Sequence, residues 1–250
     1  MPPLPPLART LHFLGALLLL SLLCFGAFYA LDYHWAWQPV GKYWRLFLSG
    51  WAATLGIATL ALPLSTALGL GLALARRSPF LLLRDASRIW VELTRGTPLL
   101  VQIYFYFYVF GQALALNNRY IIGPLILSAF SAAYISEIIR AGIEAISQSQ
   151  LESARAIGLT RPQIYRHVIY PQAIRQILPA LAGEFVSLVK NSSLLSVLGL
   201  SEFTLAAQEV NSFTYAAFES YLPVALGYLI LTLPISLWTQ SLERRLRFET

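Results

Sequence analysis

Cysteine occurs once in these 250 residues, methionine once and histidine three times. The single Cys24 excludes an intramolecular disulfide and a cysteine-based metal cluster. His12, His34 and His167 fall on far-separated segments, so no metal site or catalytic dyad is expected among them. Charge is scarce, at 12% of residues against about 25% in a typical soluble domain. There is no G-x-S-x-G elbow, no H-E-x-x-H and no P-loop G-x-x-x-x-G-K-[ST]. The missing P-loop means that any ATP-driven work must draw on a separate ATPase chain. No internal repeat is present.

What fills the chain instead is apolar: 57% of residues are hydrophobic. They gather into runs nearly free of charge, each near the roughly 20 residues that cross a bilayer's hydrocarbon. The runs 11–31, 50–75, 97–115, 121–143, 174–198 and 221–242 predict an all-α membrane protein, a polytopic bundle of about six transmembrane helices. The run 11–31 is too long for a signal-peptide core and is followed by Asp32-Tyr33-His34-Trp35, a poor cleavage site, so a retained helix is expected. Pro2-Pro3-Leu4-Pro5-Pro6 reads as a short disordered lead-in. Pro63, Pro124, Pro179, Pro223 and Pro234 lie within or at the ends of spans, where kinks are expected.

The net charge of +6 is arranged by side. Arg76, Arg77, Arg84 and Arg88 share one loop; Arg155, Arg161 and Arg166 share another; Arg244, Arg245 and Arg247 lie in the tail. Two spans separate each group from the next, so all fall on one side, the cytoplasm by the positive-inside rule. The opposite side has only Lys42, Arg45 and Arg119. Six spans place both termini inside, with Arg9 flanking the first. Trp35, Trp37, Trp44 and Trp51 cluster at an outer boundary, with Trp90 and Trp238 at inner ones, an aromatic-belt pattern.

The segment 149–171, SQLESARAIGLTRPQIYRHVIYP, is polar and lies between long apolar runs. Ser149 and Glu152 match a capping box, serine at N-cap and glutamate at N3. Gly158 then stands where a left-handed C′ residue belongs, with Leu159 as the apolar residue that follows. Thr160 and Gln163 repeat the capping pattern, Pro162 sits in the first turn of a second helix, and Pro171 ends it. Two short helices joined by a glycine turn make a rigid knob, which on the cytoplasmic side of a membrane protein reads as a docking element.

The same segment resembles the signature loop of ABC importer permeases, Glu-Ala-Ala, three residues, Gly, nine residues, Ile-x-Leu-Pro. Here it runs Glu152-Ser153-Ala154, Gly158, then Val168-Ile169-Tyr170-Pro171; Ser153, Val168 and Tyr170 depart from it by mild changes in size. Glu92 through Pro98 (ELTRGTP), Ala133 through Arg140 (AYISEIIR) and Lys190 through Leu194 (KNSSL) are similar to blocks of the polar amino acid uptake permeases. The resemblance implies one permease domain over 1–250: an extra N-terminal helix and periplasmic loop at 1–45, a core of the type I importer kind at 46–245 and a cytoplasmic coupling loop at 149–171. It implies coupling residues Glu152, Ser153, Ala154, Arg155, Gly158, Arg161 and Arg166. It also implies a second permease subunit (itself or a related chain), two cytoplasmic ATPase subunits carrying ATP and Mg, and an extracytoplasmic amino-acid-binding protein. No cofactor is expected on this chain. The expected location is the bacterial inner membrane.

Other polar groups admit two readings. Glu137, Arg140 and Glu144 share one helix face, either as a stripe along the translocation path or as an internal ion pair near the cytoplasmic end. Glu184 and Lys190-Asn191-Ser192-Ser193 interrupt the fifth run, which suggests a helix that breaks beside a cavity; alternatively Lys190 snorkels to the outer interface. On these grounds the substrate-path candidates are Glu137, Glu184, Lys190, Asn191 and Ser192. Arg84, Arg88, Glu92 and Arg95 oppose Ile89, Trp90 and Leu93, which fits either an interfacial helix or an extension of the third span. The aromatic run Tyr104 to Tyr108 fits packing or lipid contact better than a pore.

The function expected is thus an importer permease subunit that moves polar amino acids, acidic ones among them, by alternating access. A secondary transporter or channel driven by an ion gradient would use Glu137 and Glu184 but leaves the capped knob unexplained. An intramembrane enzyme lacks a nucleophile–base pair.

Overall fold

The computed structural model describes residues 6–30, 33–116 and 118–246. Of the expected disordered lead-in at 2–6, residues 2–5 lie outside the described residues and Pro6 is instead the first residue of a helix; the tail residue Arg247 and the side chains of Arg9, Arg244 and Arg245 also lie outside the described residues. All regular structure among the described residues is helical. In chain order the helices are α1 (Pro6–Ala30), α2 (Trp37–Gly41), α3 (Trp44–Ala75), α4 (Leu81–Gly96), α5 (Leu99–Phe105), α6 (Arg119–Glu144), α7 (Gln148–Ala156), α8 (Arg161–Ile164), α9 (Tyr170–Asn191), α10 (Phe203–Thr214) and α11 (Ala217–Leu246).

Each of the six apolar runs carries a helix. Four of these are long and apolar enough to cross a membrane: Trp44–Ala75, Arg119–Glu144, Arg161–Leu198 and Ala217–Leu242. Of the other two, α1 is 25 residues long, with its described apolar stretch at Leu14–Ala30, and Leu99–Gly111 is shorter. The third span is therefore shorter than its expected 97–115. It passes from α5 into a π turn at Tyr106–Gly111, within the aromatic run. Tyr104, Phe105 and Tyr108 are exposed there, while Tyr106 and Phe107 pack on the core.

α6 is the centre of the bundle. Two-thirds (67%) of its most apolar stretch is buried, against 17% for α11. It pairs along its length with α3, and small residues make the approach close. Ala61 and Ser65 on α3 and Ser128 and Ala132 on α6 are almost wholly buried. A Cβ at Gly69 would lie 2.6 Å from Ile135 Cγ2 and 3.0 Å from the Ala132 carbonyl. In a bilayer, where lipid is as apolar as leucine, this close backbone packing replaces the hydrophobic drive. Pro63, Pro124, Pro179, Pro223 and Pro234 all lie inside helices.

The fifth run does not show the break that its polar residues suggest; the helix stays continuous through Leu198 and only tightens there. α9 ends at Asn191 and a tighter 3₁₀ segment, Ser192–Leu198, carries the chain to Gly199 at φ +69°. Arg119, at the start of α6, donates to the Leu198 and Gly199 carbonyls and so caps this segment. α10 follows, a helix of 12 residues that lies outside the six apolar runs. Its sequence signal is Glu202 before Phe203, Ala206, Ala207 and Val210, an i, i+3, i+4, i+7 pattern whose members are all buried.

At that end of the bundle the N-terminal segment is tied down by Glu219 of α11. The Tyr33 hydroxyl donates to this buried carboxylate at 2.5 Å, and the Ala36 amide donates to it as well. Phe28 meets Phe218 edge-on, with centroids 4.9 Å apart. Below this point α1 leaves Leu17, Leu18, Leu19 and Leu20 exposed, the surface a lipid-facing helix presents.

Candidate functional site: the coupling knob and the polar groups of the bundle

The knob forms between α6 and α9 as two short helices, with one correction at its start. The N-cap of α7 is Ser147, not Ser149, and Glu152 is not its N3 residue. Ile146 decides this. It is buried before the cap, at N′, in the cluster against which Leu151 at N4 packs, so a hydrophobic staple fixes the entry two residues earlier than the serine spacing suggested. Ser149 lies in the first turn, its Oγ 3.2 Å from Ser147 Oγ.

The exit of α7 follows expectation. Gly158 has φ +84°. Its amide donates to the Arg155 carbonyl at 3.0 Å, and the Leu159 amide donates to the Ala154 carbonyl at 3.1 Å. These are the two bonds of a Schellman end. The Thr160 amide then donates to Gln163 Oε1 at 2.8 Å, which begins α8 with Pro162 in its first turn. Pro171, however, does not end the second helix. The chain widens into a π turn at Tyr165–Ile169 and runs straight on into α9, so Arg161–Leu198 is continuous. The Tyr170 amide bonds the Tyr165 carbonyl, one residue further back than in an α-helix. This extra residue takes up the proline, which has no N–H to place.

Ala154 is only 5% exposed, seated on Ile146, Ile164, Ile169 and Ala173. The knob is thus held to the bundle by an apolar base and cannot swivel freely. Its outer surface is different. Glu152, Ser153, Arg155, Gly158, Arg161 and Arg166 are exposed. Among the described residues, Glu152, Arg155, Arg161 and Arg166 form no ion pair. Ile157 stands 77% exposed at the tip. It borders a groove of about 380 Å³ lined by Ser149, Ser153, Ala154, Leu159 and Val168. An apolar anchor beside unpaired charges is what a protein–protein contact needs. Sequence reading passed over Ile157; its signal was its place just before the glycine.

Glu137 is bound more widely than its own helix face suggests. It pairs with Arg140 at 2.8 Å, with Arg95 of α4 at 3.3 Å, and with Arg76 at the end of α3. Arg140 also pairs with Glu144, and Arg95 lies over the Tyr134 ring at 5.9 Å. One carboxylate therefore ties three helices at the end of the bundle from which the knob projects. α4 is a separate helix, as the interfacial reading expects. It buries Ser87, Val91 and Thr94 and exposes Ile89, Trp90 and Leu93. An extended Thr97–Pro98 link joins it to α5, and Gln102 Nε2 staples the corner by donating to the Thr94 carbonyl at 2.7 Å.

The remaining candidates lie along α9. Glu184 faces the buried Ser131 hydroxyl of α6, and its Oε1 is buried without a hydrogen-bond partner among the described residues. Lys190 is exposed and Asn191 half-buried at the end of α9. Ser192, grouped with them in the sequence, is fully buried; its hydroxyl donates to the Val189 carbonyl at 2.8 Å and serves the tightened turn rather than an open surface. α9 meets Gly142 of α6 at Ile177, so at about 1.5 Å per residue Lys190 lies about 12 Å further along the bundle than Glu137, five residues before Gly142. Glu137 is thus not in the same constellation as Lys190.

Residues 65–248 match the family described as binding-protein-dependent transport system inner membrane component. A probable glutamine ABC transporter permease protein of Bacillus subtilis is 38% identical over 202 residues, covering 80% of this chain and 93% of that one. An octopine transport system permease protein of Rhizobium radiobacter is 33% identical over 225 residues, covering 81% and 91%. The glutamine transport system permease protein of Escherichia coli K12 is 32% identical over 216 residues, covering 84% and 97%. Among solved structures, an amino acid ABC transporter crystallised with histidines matches with TM-score 0.78 and 37% identity, covering 85% of this chain and all (100%) of the other. A methionine ABC transporter in an inward-facing conformation shares the fold, with TM-score 0.68 and 18% identity over 82% of this chain and 97% of the other. These relatives are named as permease proteins of transport systems. The chain, a multi-pass membrane protein, belongs to the family of inner-membrane permease components of binding-protein-dependent ABC importers.

Proposed function

We propose that this permease subunit carries polar amino acids inward by alternating access, with the knob at 148–164 as the element that receives the ATPase stroke. The observation that carries the proposal is the Gly158 turn. It locks two capped helices onto a buried base at Ala154 and leaves Ile157, Arg155, Arg161 and Arg166 outward and uncommitted. A rigid lever needs a fixed base and a free face. The amino acid class follows from the names of the relatives, which include glutamine permeases.

In this reading two permease subunits, identical or related, face one another, each knob resting on a cytoplasmic ATPase that holds ATP and Mg. An extracytoplasmic binding protein delivers the amino acid. The loop arginines, the knob and both termini lie in the cytoplasm. Closing of the ATPase pair pushes the knobs, and the apolar base passes the motion to α6 and α9. Glu137 with Arg76, Arg95 and Arg140 clasps the cytoplasmic end of the bundle. Lys190 and Asn191, where α9 tightens into its 3₁₀ segment, hold or pass the substrate carboxylate, and Glu184 lies deeper along the same helix. Polar side chains at a tightened turn inside a span are what a zwitterion can use.

Purification with a tagged partner ATPase and identification of every subunit tests the assembly. Proteoliposomes containing ATP, with no ion gradient, test the drive. Uptake under those conditions supports the proposal. Uptake that needs a proton or sodium gradient instead favours a secondary transporter built on Glu184, whose unpartnered oxygen is the one feature that speaks for that reading.

A further inference from the structure

Five guanidiniums converge on one pocket at the bundle end that carries the knob. The pocket, about 320 Å³, is lined by Arg76, Arg77, Arg84, Arg88, Arg140 and the single carboxylate Glu144. The residues come from the α3 end, from α4 and from α6. Part of this charge is already used. Arg76 and Arg140 pair with Glu137, Arg140 also with Glu144, and Arg84 lies 3.6 Å from its neighbour Asp85. The guanidiniums of Arg77 and Arg88 have no ion pair or hydrogen bond among the described residues. A concave site with this excess of positive charge calls for an anion.

The surroundings say which anion. α4 forms one wall and is amphipathic in a way that fixes its level at a membrane. Leu82, Ile89 and Leu93 are 85%, 58% and 63% exposed on the side away from the buried Ser87, Val91 and Thr94. Phe80, Leu81 and Leu83 at its start are also exposed. Apolar residues on that scale, in a chain whose other helices cross the bilayer, belong in hydrocarbon. Arg84 and Arg88 on the adjoining face then stand at the headgroup level. A ligand with a phosphate at that height and acyl chains to lie along α4 satisfies both surfaces, and basic pockets between helices at this boundary suit such headgroups.

We propose that the Arg76–Arg77–Arg84–Arg88–Arg140 pocket binds the phosphodiester of an anionic phospholipid, with Arg77 and Arg88 as its principal partners and the acyl chains against the apolar face of α4. The arginine fork matches phosphate oxygens in paired hydrogen bonds. A bound lipid would brace α4 against the ends of α3 and α6, beside the Glu137 clasp.

Native mass spectrometry of the detergent-purified full-length subunit, titrated with phosphatidylglycerol or phosphatidylcholine of matched chains, tests this. It reads the pocket without regard to which side of the membrane it occupies. The expected result is a phosphatidylglycerol adduct that phosphatidylcholine does not give, weakened roughly 30-fold in Arg77→Gln/Arg88→Gln if each basic residue near the surface contributes about fivefold. Arg45→Gln, at the far end, should keep wild-type binding. Soluble glycerol phosphate in excess should not displace the lipid, which separates a headgroup site from a free-phosphate site. Equal binding of the two lipids, full retention in the double variant, or displacement by glycerol phosphate overturns the proposal. So does a double variant that keeps its lipid but no longer co-purifies with the ATPase, because the pocket would then be a protein contact.

Discussion

The Leu159 amide reaches back over Gly158 to the Ala154 carbonyl, 3.1 Å away. That bond exists only because Gly158 holds φ at +84°. A Cβ at this position would meet nothing within 4 Å. The penalty for a side chain there is therefore conformational and not steric, roughly 1–2 kcal/mol for an ordinary L-residue and more for a β-branched one. Gly158→Val should insert in the membrane yet lose ATPase assembly or uncouple hydrolysis from uptake, with uptake down at least about tenfold at a cost above 1.4 kcal/mol. Gly158→Asn should retain more, since asparagine tolerates the left-handed region. Uptake into vesicles and co-purification with the ATPase measure both. Wild-type behaviour of Gly158→Val would remove the knob from the coupling mechanism.

Glu137 is the shared partner of three arginines, so removing it and removing one of them are unequal changes. Glu137→Gln leaves Arg76, Arg95 and Arg140 facing one another with a neutral group between them. Arg76→Gln leaves two arginines still on the carboxylate. The Glu137 and Arg76 side chains are only 15% and 12% exposed, so the loss should approach the range of broken buried pairs, about 3 kcal/mol, for Glu137→Gln and less for Arg76→Gln. The double variant should cost less than the sum of the singles. Thermal unfolding in detergent of the four proteins reads this cycle. Strict additivity would mean the clasp is not a unit.

Much of the fold was legible because a bilayer crossing demands a long apolar run, and six apolar runs gave six helices, one of them shorter than its run. The glycine turn was legible because the left-handed region admits few residues. The start of α7 was not, because Ser147 and Ser149 are equivalent as caps and the choice fell to Ile146, whose burial depends on α8 and α9. The π turn before Pro171 was hidden for a related reason: a proline signals a missing donor, and both a helix end and a widened turn answer it. The partners of Glu137 were only partly visible. Arg140 is three residues away on the same helix, whereas Arg76 and Arg95 come from α3 and α4, and their meeting depends on how α3 packs on α6.

Glu202 offers a test of burial outside the spans. Its carboxyl is wholly buried. It caps α10 by accepting from the Thr204 and Leu205 amides at 2.8 Å each, and it accepts from the Tyr228 hydroxyl at 2.9 Å. Burial pushes its pKa up, against the opposing pull of those donors. A carboxyl whose folded pKa is raised gives stability that is complete below the ordinary carboxylate range and is lost as pH rises through the raised value. Glu202→Gln keeps an oxygen acceptor and is always neutral. It should unfold near the wild-type temperature at acidic pH and show a weaker fall towards pH 8. Glu202→Ala should lose about 2 kcal/mol, the value of a cap and a buried hydrogen bond together. A Glu202→Gln variant as unstable as the alanine would mean that the charge, not the acceptor, matters.

Sidedness has its own test. Reporters fused after Arg77, after Gln148 and after Thr250 should all report the cytoplasm, and one after Val40 the opposite side, as the arginine distribution requires. A reporter after Gln148 that reads outside would detach the knob from any cytoplasmic ATPase, whatever its internal geometry.

Lys190 and Asn191 give the test of the substrate path. Lys190 is exposed at the point where α9 tightens into its 3₁₀ segment, and Asn191 beside it is half-buried. An ammonium near the middle of a hydrophobic span is costly unless water or a polar partner reaches it. Its own chain gives Lys190 no ion pair among the described residues. A cavity between two permease subunits would supply water, and the substrate carboxylate a counter-charge. Lys190→Ala should then lower uptake about tenfold or more, in line with roughly 1.5–3 kcal/mol for a hydrogen bond to a charged group, while ATPase assembly and basal hydrolysis hold. A cysteine at Asn191 should react with a water-soluble thiol reagent in at least one state of the cycle, and substrate should slow that reaction. Cys24 must first be replaced by serine so that the signal belongs to position 191. Normal uptake by Lys190→Ala, or an Asn191→Cys site shielded in every state, would return Lys190 to a snorkelling role at the outer interface.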